Sequence, residues 1–213
     1  MMDFLSIDFG AFIAKGGVLV IPILICSVLA FAIFLERLIY YARMKSRGTG
    51  LAQSVVRLLA QEKDEEALNT AAQSRSPMGR VLARAIDAKA CDRETLETVI
   101  VNATEEEVKD LSTHIQTLAT IGNIAPLLGL LGTVIGMIKA FMVIQEMGGK
   151  VNASVLAGGI WEAMLTTALG LAVALPTMVA HSYLIGRVDR YEARLQSGSV
   201  AFIKHIGQQH NRR

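Results

Sequence analysis

Three long stretches of the chain lack the polar positions that a water-facing helix needs. Gly16–Leu35 closes with Glu36 and Arg37, Ile121–Ile144 is broken only by Asn123 and Lys139, and Val155–Ile185 holds Glu162 as its single charge. Each meets the ~20 apolar residues that cross a hydrocarbon core about 30 Å thick. Elsewhere the apolar positions recur at helical spacing, as at Leu51, Val55, Leu58 and Leu59, and again at Leu96, Val99, Ile100, Ala103, Leu111, Ile115 and Leu118. No strand-like alternation occurs. The pattern predicts an all-α membrane protein with three transmembrane helices, spans two and three extending as long helices into a cytoplasmic helical domain.

Helix punctuation refines this. Ser76-Pro77 places a good N-cap residue before a residue suited to the first helical turn. A short basic helix should follow over Met78–Lys89, and another should start after Asp92. From there no glycine or proline interrupts the apolar spacing before the second span, which predicts one continuous helix from about Arg93 to Ile144. The third span likewise continues through Leu184, Val188, Tyr191, Leu195, Phe202 and Ile206.

The bases are unevenly distributed. Arg37–Lys109 contains twelve Lys and Arg, and Arg187, Arg190, Arg194, Lys204, Arg212 and Arg213 follow the third span, whereas the opposite ends carry only Lys15 and Lys150. The positive-inside rule then gives an N-terminal periplasmic tail over 1–15, spans at 16–38, 121–144 and 155–185, a periplasmic loop at 145–154, and cytoplasmic segments at 39–120 and 186–213. Asp3 and Asp8 give the region before the first span the wrong sign for a signal peptide, and Ile25 does not suit a lipoprotein cleavage site before Cys26, so the first span is predicted to be uncleaved.

A mean hydropathy of +0.43 agrees with membrane insertion. The two cysteines, Cys26 and Cys91, fall in unlike segments and predict no disulfide, and no metal-ligand spacing appears. No metal, cofactor or nucleic acid is expected, and no nucleophile–base pair or phosphate loop supports an enzyme.

The second and third spans carry ordered small residues: Ala125, Gly129, Gly132, Gly136 and Ala140 in one, Ala163, Thr167, Gly170 and Ala174 in the other. Such stripes let helix backbones approach closely. Counted at 1.5 Å per residue, Thr133 and Thr167 both lie about 17 Å from the outer ends of their spans, near mid-membrane. Two readings stay open: a polar ring among several copies, or hydroxyls bonded back to their own helices. An acid within a span is by default functional, yet Glu162 is also at a depth that allows an ion pair with Lys139. A helix wheel places Thr166, rather than Thr167, on the Glu162 face.

The segment LATIGNIAPLLGLLGTVIGMIKAF, from Leu118 to Phe141, and GGIWEAMLTTALGLAVALP, from Gly158 to Pro176, resemble the ExbB/TolQ/MotA proton-channel family. The ICSVLAFAIFLERL run of the first span is similar to the ExbB branch; the flagellar branch has four spans. The resemblance implies a homopentamer around an ExbD/TolR-like single-span subunit, with proton flow driving a TonB/TolA-like protein from the inner membrane. It also implies pore-lining roles for Thr133, Glu162 and Thr167, to which the helix wheel adds Thr166 as a candidate polar partner. Gly129, Gly132, Gly136, Gly170 and Pro176 become helix-packing positions, although Ser182 stands where the family commonly has Asn after the proline. The readings to separate are an ExbB-type motor, a TolQ-type subunit of the Tol-Pal envelope system, a surface-motility motor, and a passive scaffold set among membrane lipids.

Overall fold

A computed structural model describes residues 17–44, 50–74, 76–146 and 153–210. The tail at 1–15, Arg75, most of the loop at 145–154 and the last three residues lie outside them. The described residues form seven helices: α1 Val20–Met44, α2 Leu51–Ala60, α3 Asp64–Gln73, α4 Pro77–Asp87, α5 Arg93–Ser112, α6 Ile115–Glu146 and α7 Ala153–His210. Three of them, α1, α6 and α7, are long and apolar enough to cross a membrane. The protein is an all-α membrane protein.

The chain divides into two compact units. One contains the chain as far as Leu35 together with His114–Ser182; the other contains Glu36–Thr113 and the chain from Tyr183 onward. The second unit has a hydrophobic core of its own, made by Val55, Leu59, Val81, Leu82, Leu96, Ile100, Leu195 and Phe202. Its helices start where the sequence provides caps. Ser76 Oγ accepts from the Gly79 N–H at 3.1 Å with Pro77 in the first turn, and Asp92 accepts from the Thr95 N–H at 2.9 Å. Arg80 Nε donates to buried Glu107 at 2.6 Å, tying α4 to α5, and Arg84 pairs with Glu106 beside it.

The continuous helix expected from about Arg93 to Ile144 is in fact two. The chain leaves α5 at Thr113, with ψ 137°, and passes through His114 at φ 61°, a left-handed conformation. At the break, side chains bond the last carbonyls of α5. Buried Tyr41 donates its hydroxyl to Leu111 O at 2.7 Å, and Arg37 donates to Asp110 O at 3.3 Å. Ser112 and Thr113 turn their hydroxyls back to Val108 O and Lys109 O, at 2.9 and 3.2 Å. Tyr41 and Arg37 thereby give partners to carbonyls that the end of a helix leaves without an intrahelical donor. By contrast, the third apolar run does continue as one helix, α7, which reaches His210.

Candidate functional site

The unit built from apolar helices is organised by the small residues of α6. Gly122, Ala125, Gly129, Gly132, Gly136 and Ala140 are all buried, and they face α7 in antiparallel order. A Cβ on Gly122 would meet Met178 and Thr177, one on Gly136 would meet Ala163, and one on Gly159 would lie 2.6 Å from Ala140 Cβ. At the centre the approach is tightest. A Cβ on Gly129 would sit 2.9 Å from Thr166 O, one on Gly170 would sit 2.5 Å from Ala125 O, and one on Gly132 would collide with the Thr166 hydroxyl. Lipid tails supply no hydrophobic drive for helix pairing, so this backbone proximity is the main source of cohesion.

The threonines occupy three different situations. Thr166 is buried on the α6-facing stripe of α7, with Ala163, Ala174 and Thr177, and its hydroxyl donates to Ala163 O at 2.7 Å. Thr167, beside that stripe, donates across to Gly129 O on α6 at 2.9 Å. Thr133 is half-buried on this chain and donates to Leu130 O, on its own helix, at 2.6 Å. Because Gly132 abuts Thr166, Thr133 shares the level of Thr166 and Thr167 along the pair. Pro176 is exposed, one residue before buried Thr177, and removes a backbone donor inside α7.

Glu162 and Lys139 form an ion pair, Oε1 to Nζ 3.5 Å, with side chains 31% and 54% exposed. Both charges therefore retain open surface. Sequence reasoning missed Gly122, Gly159 and Thr177 as contact residues. Their signal was present in the continuing small-residue steps, but a stripe's length cannot be read without its partner's register. Among the described residues no cluster of three or more His, Cys, Asp or Glu could hold a metal ion.

Residues 73–197, which include every one of these positions, match the MotA/TolQ/ExbB proton channel family. The chain belongs to that family. It is 31% identical over 179 residues to an ExbB homolog of Methanothermobacter thermautotrophicus, covering 82% of this chain and 62% of that protein. It is also 29% identical over 183 residues to the biopolymer transport protein exbB1 of Vibrio cholerae, covering 84% of this chain and 80% of that protein. With the Tol-Pal system protein TolQ of Haemophilus influenzae it shares 37% identity over 91 residues, 42% of this chain and 39% of that protein. Within the family the chain is most like the ExbB branch.

Proposed function

We propose that this chain is the proton-conducting stator subunit of an ExbB–ExbD-type motor in a bacterial inner membrane, using the proton motive force to energise TonB-dependent transport across the outer membrane. The observation that carries the reading is a set of polar groups left at the surface of an apolar unit. Thr133 on α6 is only partly buried, and Glu162 and Lys139 remain partly open. Charged groups at such depth require protein or water around them rather than lipid. Further copies of the chain, five by family resemblance, would enclose them and form a lumen.

In this reading Thr133, Glu162 and Thr167 line the path, with Thr166 holding the helix spacing behind it. Threonine hydroxyls order water but do not titrate near neutral pH. A single-span ExbD/TolR-like subunit would bring a membrane carboxylate to the threonine level and act as the proton switch, and a TonB/TolA-like protein would take up the work. The N-terminus faces the periplasm and the helical unit with the C-terminus lies in the cytoplasm, following the Lys and Arg skew.

Similarity to TolQ makes a Tol-Pal role the nearest rival. Deletion and complementation separate the two. An ExbB-type subunit restores uptake of a TonB-dependent substrate and leaves detergent resistance of the envelope unchanged. Restoration of detergent resistance alone would transfer the chain to the TolQ role. Failure to copurify with any single-span, aspartate-bearing partner would favour the scaffold.

A further inference from the structure

The Glu162 carboxylate meets more than its lysine. Just before α1, Gly17 has φ +71°, a conformation that residues with a Cβ rarely adopt. A Cβ built there would fall on Glu162 Oε1 and lie 3.5 Å from Cδ and 3.9 Å from Cγ. The same Oε1 stands 3.5 Å from Lys139 Nζ. One carboxylate oxygen is therefore held between the turn that opens α1 and a lysine near the end of α6, while its stem is rooted in α7.

Glycine is required at position 17 on two counts, and a second glycine separates them. Gly50, the other described glycine at positive φ, has φ +82°, but a Cβ there would find only Gln53 Oε1, at 3.7 Å. Backbone conformation alone accounts for Gly50. At Gly17 the space that a side chain would fill is already taken by the only carboxylate within the three apolar runs.

We propose that Gly17 is a positioning residue for Glu162. Together with Lys139 it forms a clasp that joins all three spanning helices at one end and makes the availability of the carboxylate depend on the first span. The consequence for transport rests on the stator reading; the clasp itself does not. It also gives the first span a task that packing of α6 on α7 leaves open.

The test is a mutant cycle in the full-length protein, purified from membranes with its partner. Gly17→Ala should lower the melting temperature in the wild-type background and lower it less in the Glu162→Ala background, where only the left-handed backbone penalises alanine. Glu162→Asp, one methylene shorter, should restore part of the loss in Gly17→Ala. Equal losses in both backgrounds would overturn the clasp, and so would failure of Gly17→Ala to assemble whether or not Glu162 is present. The second readout is the pH at half-maximal proton flux in vesicles. It should move in the same direction for Gly17→Ala and Lys139→Gln and stay in place for Gly50→Ala. An unmoved profile in Gly17→Ala with flux intact would remove the positioning role. If wild-type vesicles passed no protons, the stator reading would fail, while the melting cycle would still decide the clasp.

Discussion

At Gly132 the spacing of two helices is set by a missing methyl group, because any Cβ would strike the Thr166 hydroxyl. Gly132→Leu should separate α6 from α7 and prevent a stable oligomer, visible as loss of the assembled mass in native mass measurements. Gly132→Ala tests the same contact more mildly and should cost about 1–3 kcal/mol in unfolding, the usual range for overpacking. The threonines should part company in the same assay. Thr167→Val breaks a hydrogen bond between helices and should lose about 0.6 kcal/mol, typical of such bonds in membranes. Thr133→Val removes only a bond within its own helix and should leave stability nearly unchanged. The levels of these residues were legible because rise per residue is constant along a helix. Their azimuth was not: only the register with the neighbouring helix reveals that Thr166 is buried, Thr133 half-buried and bonded within its own helix, and Thr167 bonded across.

Among the elements, the break between α5 and α6 has the most to teach about sequence reading. Local spacing favoured a continuous helix, and no glycine or proline marks the break. A residue that bonds the end of α5 is Tyr41, 70 positions away from Leu111 in sequence. Window-based pattern cannot carry that information. Tyr41→Phe keeps the ring but strands a buried carbonyl, so it should cost about 1–2 kcal/mol and speed amide exchange at the end of α5. The Ser76 and Asp92 caps, in contrast, act within a single turn and were legible. Asp92 also gives a pH test. Hydrogen bonds from the Thr95 N–H, then from its hydroxyl, hold the Asp92 carboxyl below its ordinary value. A lowered folded-state pKa contributes stability above the unfolded-state pKa, near 3.9, and loses it as pH falls through the folded value. Acid titration of helix content should therefore show a transition below about pH 4 that shrinks in Asp92→Asn.

For the whole molecule, family membership, the helical class and three apolar helices were all legible, because each depends on composition and long motifs rather than on register. Sidedness is a separate inference from charge, and native Cys91, exposed in the second unit, offers a direct probe. A membrane-impermeant maleimide should label Cys91 only after cells are opened, whereas Glu146→Cys in a Cys91→Ser background should label in intact cells. The opposite pattern would invert the topology. The central claim is that polar groups among packed apolar helices conduct protons, and proton flux tests it most directly. Vesicles containing this protein and its single-span partner should acidify under an imposed potential, and Thr133→Val, Thr167→Val and Glu162→Ala should each abolish that flux while the oligomer still forms. Normal flux in all three variants would contradict the account and leave a passive scaffold.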